Sequence, residues 1–355
     1  MAVIRTFDLP RRILFAIRSK LGDTLISFQC VRAYVDAHPD DSVTLLTRSA
    51  YAQLFMRESG VRVIGFDSRI GMAARLLWLR VTEPAFDILA VLWGSGAPIR
   101  LIGQLVKARR KVAWSRRFGP GIFEEAVMPA DHFLIDPAAS TIRVFEPGFA
   151  APTRLALPSL AARRANCVDK SAIGIVPIAD EARRNLDPAV LAQLLLEVRR
   201  RHPTAPMRIF INPGNAGSDA LIAAPLPPGC EVRTFRDLAA LVDQYAQLAA
   251  WYGTDTGLYH LAVAVGIPAT VFFGPTQPHK IVMPAQSGTR VWRLAVLGDS
   301  HCEEKSCRRP LCLHAAVAAW SMGACTTGID ETPIACPLRQ CPATDLERMH
   351  DASPA

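Results

Sequence analysis

The sequence predicts an α/β protein built of two parallel-sheet units joined by a linker, and three observations predict it. Short β-type runs alternate with helical stretches from residue 12 to 115. The segment 145–170 (FEPGFAAPTRLALPSLAARRANCVDK) is rich in Pro and Ala and breaks that pattern. The alternation then restarts and runs to residue 273. Such alternation argues for parallel sheets wrapped by helices. With 355 residues, 50% of them apolar, the chain has enough length and core for two domains of ordinary size.

Taken in order, the first half reads as strands at 12–18, 42–47, 61–66, 86–91 and 111–114. Helices fit 24–38, 50–59, 71–79 and 98–108 between them. The second half reads as strands at 172–176, 207–211, 231–234, 248–252 and 269–273, with helices at 188–201, 238–246 and 257–265. No period of the 20–50-residue solenoid type is present. Two Rossmann-like halves of this kind place a site in the cleft that faces the C-terminal ends of both sets of strands.

Composition narrows the class. No apolar run reaches the ~20 residues that span a bilayer. The start, MAVIRTFDLPRR, carries Asp8 and Pro10 and has no apolar stretch of signal-peptide type, so a cytoplasmic protein is expected. Charge is uneven: residues 1–165 hold 23 Lys and Arg against 14 Asp and Glu. The excess is concentrated at Lys107, Arg109, Arg110, Lys111, Arg116 and Arg117. Such a patch is either a solvated face or a surface for an anionic acceptor or membrane leaflet. A nucleic-acid partner is not expected, because no nucleic-acid motif is present and few aromatics lie among the charges. Gly94-Ser95-Gly96 lacks the third glycine of a dinucleotide fingerprint and reads as a loop.

The densest chemistry lies at 251–284. The turn Gly253-Thr254-Asp255-Thr256-Gly257 separates an apolar strand from a helical pattern, and a second strand and the turn Gly274-Pro275-Thr276 follow. This strand–turn–helix–strand unit aims a helix N-terminus at one point, where free N–H groups and the dipole favour phosphate. Any capped helix in an α/β sheet shares that local pattern.

The run from Gly253 to Ala262, followed by Gly266-Ile267-Pro268 and Phe273-Gly274-Pro275-Thr276, resembles the nucleotide-sugar signature of glycosyltransferase family 9. Those are the ADP-heptose:lipopolysaccharide heptosyltransferases and their relatives. Residues 12–18, with Leu21-Gly22-Asp23, resemble that family's first strand and Gly-Asp turn. The resemblance implies GT-B architecture. An acceptor-binding Rossmann-like domain would span 1–165, a nucleotide-sugar-binding one 166–300, and a Cys-rich tail 301–355.

The same resemblance implies roles. Asp23 matches the proposed catalytic base; read locally, it is also a suitable N-cap for a helix starting at Thr24. Arg184 falls on the family's cationic position at the leaving group, where a lysine is usual; it keeps the charge and adds a bidentate grip. Thr254, Asp255, Thr256, Gly257, His260 and Thr276 would hold the donor, and Asp219 would take the place of a ribose-binding glutamate in a remodelled loop. Lys107, Arg109, Arg110 and Lys111 would meet the acceptor. Ile26 stands where a histidine is frequent.

Six of nine cysteines lie in the last part of the chain: Cys302, Cys307, Cys312, Cys325, Cys336 and Cys341. Clustering in a cytoplasmic chain favours metal or reduced thiols over disulfides. The resemblance extends to a structural zinc or iron there, although the spacing departs from tight pairs; no cofactor is implied for catalysis.

The implied function is inverting, metal-independent transfer of a heptose from an ADP-activated donor to an anionic lipopolysaccharide-core glycolipid, at the inner face of the inner membrane. The alternatives are a transferase acting on protein or another glycan, or a catalytically silent protein that binds a nucleotide sugar.

Overall fold

The structure is a computed structural model and describes residues 9–94, 96–115, 121–129, 133–212, 218, 226–235, 237–274, 278–295, 311–321 and 329–333. The first half runs β1 (Arg12–Ile17), α1 (Leu21–Ala37), β2 (Ser42–Arg48), α2 (Ser49–Phe55), β3 (Val61–Phe66) and α3 (Arg69–Thr82). It continues with β4 (Phe86–Trp93), α4 (Ala97–Leu105), β5 (Ala108–Ala113), β6 (Glu124–Glu125) and α5 (Asp136–Arg143). Its strands form one parallel sheet in the order β3-β2-β1-β4-β5-β6.

After α6 (Pro158–Ala165) the second half runs β7 (Ala172–Val176), α7 (Pro188–Arg201), β8 (Met207–Phe210), β9 (Cys230–Arg233) and α8 (Leu238–Ala246). Then come β10 (Leu248–Thr254), α9 (Gly257–Val265), β11 (Ala269–Phe273), α10 (Pro278–Ile281), β12 (Thr289–Ala295), α11 (Leu311–Ser321) and β13 (Ile329–Pro333). The second sheet is also parallel, in the order β13-β12-β11-β10-β7-β8-β9. The order reverses beside the first strand of each half, between β1 and β4 and between β7 and β10. Open α/β sheets bind ligands at such switch points, outside the C-terminal strand ends.

The inner strands read as unbroken apolar runs because helices cover both faces. Ile13 to Ile17 are fully buried, and the whole of β11 is buried. One apolar core runs from behind the first sheet through Phe28, Val31 and Tyr34 of α1 to Tyr259, Leu261 and Val265 of α9, so the halves share buried surface. The linker is held from both sides. Gln29 of α1 accepts from the Ala156 N–H, Glu58 accepts from Ser159, and Gln286 accepts from Leu155.

Several elements depart from the sequence expectation. Helix α1 starts at Leu21 rather than Thr24, because the Thr24 N–H already bonds the Lys20 carbonyl. Helix α4 ends at Leu105, and Ala108 instead begins β5 by pairing with Phe86. The segment read as an irregular linker contains α6, whose Pro158 stands at its start as proline does at a first helical turn. The stretch read as a tail supplies β13 to the second sheet and α11 to its core, through buried Leu313, Val317 and Trp320. Cys302, Cys307, Cys325, Cys336 and Cys341 lie outside the described residues, and for Cys312 only its place in α11 is described. Among the described residues no group of three or more His, Cys, Asp or Glu is placed to hold a metal.

Candidate active site

Three strand ends build the site. Behind β1, Arg18-Ser19-Lys20 leads directly into α1, whose N-cap is Lys20 and carries no side-chain cap. The first N–H groups of α1 therefore keep donors to offer. Behind β10, Thr256 caps α9 by accepting from the Leu258 N–H at 3.0 Å, and Gly266 closes the helix in the left-handed conformation that glycine tolerates (φ 86°). Behind β7, a 3₁₀ turn (Ala182–Arg184) carries Arg184 back over the strand ends.

The two helix starts meet across the cleft. A Cβ on Gly22 would lie 2.7 Å from His260 Cδ2, and one on Gly257 would lie 3.1 Å from the Gly22 nitrogen. Both glycines are required by this close approach. Beside the contact lies a cavity of about 600 Å³, lined from the first half by Lys20, Gly22 and Asp23 and from the second by Arg184, Asp255 and Gly257. Phe235 and Leu238 add an apolar wall on the second-half side.

Asp23 lies inside the first turn of α1 and does not cap it. Its carboxylate accepts a hydrogen bond from the Ser19 hydroxyl. Burial pushes its carboxyl above the usual carboxylate range, against the pull of Ser19, Lys20 and Arg184. Asp23 is thus a partly buried carboxyl in the wall of the cavity, with raised basicity.

Arg184 is gripped by two carboxylates. Its Nη1 donates to Asp255 Oδ2 at 3.1 Å and to the Asp255 carbonyl at 3.2 Å, and its Nη2 donates to Glu181 Oε1 at 2.9 Å. Asp255 is almost wholly buried, so the pair is shielded from water. The Arg184 Nε is also buried and has no hydrogen-bond partner among the described residues. Glu181 is partly buried, which opposes its ionisation, yet Arg184 and Arg183 outweigh that and hold its carboxyl below the usual range. Lys20 of the first half meets Asp180 of the second at 3.4 Å, an ionic link between the halves.

His260 lies in the first turn of α9 and is fully enclosed. Burial lowers its ring to about 4 from an ordinary 6.5, against the attraction of Asp255. It is therefore a neutral imidazole at pH 7. Thr254 is buried at the end of β10, and its hydroxyl has no hydrogen-bond partner among the described residues.

Of the residues singled out in the sequence, the structure brings Asp23, Arg184, Asp255, Thr256, Gly257 and His260 to one cavity. Asp219 and Thr276 lie outside the described residues. It does not bring Lys107, Arg109, Arg110 and Lys111 there. They lie at and just before the start of β5, and in parallel strands that end points away from the cleft. Arg109 pairs with Asp87 at 3.1 Å, Arg110 with Glu124 at 2.7 Å, and Lys111 donates to the Gly103 carbonyl.

A different basic site was not read from the sequence. A second cavity of about 450 Å³ shares Lys20 with the first and is lined by Arg18, Arg48 and Arg69, with Asp67 at its edge. Burial lowers the Arg18 guanidinium's affinity for its proton, and repulsion from Arg48 and Arg69 lowers it further. None of the three arginines forms an ion pair with a described carboxylate. They come from the ends of β1 and β2 and the start of α3, so no local run of charge announces them.

The sequence profile of glycosyltransferase family 9 (heptosyltransferase) matches residues 163–312. A comparison with curated protein sequences finds no match. Among solved structures, a family 9 glycosyl transferase from Veillonella parvula superposes with a TM-score of 0.66 at 14% identity, covering 80% of this chain and 86% of that one. E. coli heptosyltransferase WaaC, solved with ADP-2-deoxy-2-fluoro heptose, gives 0.65 at 16% identity, covering 88% and 100%. E. coli ADP-heptose LPS heptosyltransferase II gives 0.63 at 17% identity, covering 88% and 99%. These likenesses show the GT-B fold over 80–88% of the chain. Over residues 163–312 the chain is similar to glycosyltransferase family 9, the heptosyltransferase family.

Proposed function

We propose that the chain transfers a heptose from ADP-heptose to a hydroxyl of an anionic glycolipid acceptor of the lipopolysaccharide-core type, with inversion at the anomeric carbon. The observation that carries this reading is the pairing across one cavity of Asp23, from the first half, with Arg184 and the α9 N-terminus, from the second. A carboxyl with raised basicity facing a cation and free backbone donors is what displacement of a diphosphate requires. Two E. coli neighbours, an ADP-heptose LPS heptosyltransferase and a heptosyltransferase solved with ADP-2-deoxy-2-fluoro heptose, support the choice of sugar and nucleotide.

In this scheme the donor lies on the second half, its diphosphate against the α9 start and Arg184. Thr254, Asp255, Thr256 and Gly257 shape that turn, and His260 supports it from beneath. Asp23 accepts the proton of the acceptor hydroxyl as that oxygen bonds to the anomeric carbon. The bond from that carbon to the phosphate oxygen breaks, and its electron pair leaves on ADP. Carboxylates outnumber cations around the cavity, so binding of the diphosphate leans on N–H donors, Arg184 and Lys20. Every group in the scheme comes from the chain and its two substrates. The acceptor's acidic groups lie in the second cavity against Arg18, Arg48 and Arg69, at the inner face of the inner membrane.

The test is a panel of nucleotide sugars with a Kdo-bearing lipid A acceptor, read as released nucleotide. The expected result is ADP release from ADP-heptose far above that from UDP- or GDP-sugars, and dependent on acceptor. Binding of ADP-heptose with no release under any condition would instead mark a silent binding protein.

A further inference from the structure

Helix α3 carries apolar side chains on two opposite faces. Met72, Leu76 and Leu79 are buried against the first sheet. On the other side Ile70, Leu77, Trp78 and Val81 are 83%, 48%, 43% and 84% exposed. At 3.6 residues per turn, Ile70, Ala74, Leu77, Trp78 and Val81 form one continuous stripe about 16 Å long. Isolated exposed apolar residues need no explanation, but a contiguous stripe of four large ones on one helix does.

Charge borders the stripe. Arg69 and Arg80 lie on one flank and Arg75 on the other, and the helix contains no Asp or Glu. Arg62 of β3 stands 5.6 Å from the Trp78 ring and is joined to Glu83, which Arg12 also binds, so the carboxylate at the C-terminal end of the helix is already neutralised, and Asp67 precedes the N-terminal end. Long arginine side chains reach upward from beside an apolar strip, which suits lipid headgroups above and acyl chains below. A soluble acidic partner would answer the cations alone and leave the apolar stripe wet.

From this charge pattern we infer that α3 docks the protein on an anionic lipid bilayer, with the stripe in the headgroup boundary and the arginines on lipid phosphates. Arg69 and Met72 of the same helix line the basic second cavity, so docking sets the mouth of that cavity at the membrane surface. This rests on the proposed function only in taking the acceptor to be lipid-borne.

The test uses the full chain and vesicles of phosphatidylcholine alone or with phosphatidylglycerol, without donor or acceptor, at 0.1 M salt. The wild type should co-sediment with the anionic vesicles and at least about tenfold less with the neutral ones, given the attraction of each arginine near such a surface. The variant I70S/L77S/V81S removes side chains that are 83%, 48% and 84% exposed. It should lose at least about tenfold in partition, while keeping its melting temperature and its turnover of a delipidated soluble acceptor. Equal partition of variant and wild type, or no wild-type binding to anionic vesicles, would overturn the docking. So would a wild-type dimer in sedimentation that the triple variant dissolves, since a second copy would then cover the stripe. A wild type that does not bind anionic vesicles but turns over the soluble acceptor sinks the docking alone; intact docking without nucleotide release sinks the transferase reading alone.

Discussion

His260 shows how one buried side chain carries a pH signature. Its folded ring titrates at about 4 against an ordinary 6.5. Between those values the unfolded chain takes a proton that the folded chain refuses. Stability therefore falls as pH drops from about 6.5 towards 4, and is unaffected by this group above neutrality. In denaturant titrations at pH 7 and pH 4.5, His260→Gln should lose about 2–3 kcal/mol less than the wild type does. An identical loss in both would place the acid sensitivity elsewhere. At this scale the sequence was partly legible. His260 and the Thr254–Gly257 turn could be found because they are contiguous in the chain. Arg18, Arg48 and Arg69 could not, because three separate strand and helix ends bring them together. In the charge run that did stand out, Arg109, Arg110 and Lys111 are partnered by Asp87, Glu124 and a backbone carbonyl.

The elements that matter most are the two helix starts and the 3₁₀ turn between them. Arg184 holds Asp255 down at the α9 start, so removing it exposes two faults that can be separated. Arg184→Ala leaves the buried Asp255 without its cation, which should cost about 3 kcal/mol or more. Adding Asp255→Asn should restore much of that stability, as read by thermal melts. Affinity for ADP should stay low in both variants, while affinity for adenosine changes little, as read by calorimetry. Equal weakening of ADP and adenosine would remove Arg184 from the leaving-group site. Element positions were legible wherever apolar runs alternated with helical periods, and all ten expected strands are present. Boundaries failed where tertiary contacts decided them. Gly22 allows α1 to begin three residues early against His260, which turns Asp23 from an expected cap into a residue of the first turn. Helix α11 and strand β13 were hidden because the cysteines spread through residues 302–341 read as a tail, whereas Leu313, Val317 and Trp320 carry the packing.

At the scale of the molecule, the proposed chemistry has one half supply the base and the other the leaving-group site. The halves are joined by the shared core through α1 and α9, the linker held by Gln29, Glu58 and Gln286, and the Lys20–Asp180 link. The most direct test of that division is the kinetics of Asp23→Asn with ADP-heptose and a Kdo-bearing acceptor, with donor affinity and melting temperature measured on the same preparation. Burial raises the Asp23 carboxyl's hold on its proton, so its ionised form opposes folding at neutral pH and the amide should not lower the melting temperature. The account predicts turnover reduced by about 10²-fold or more, a donor dissociation constant within a few-fold of wild type, and a melting temperature no lower. Near-normal turnover in this variant would contradict it.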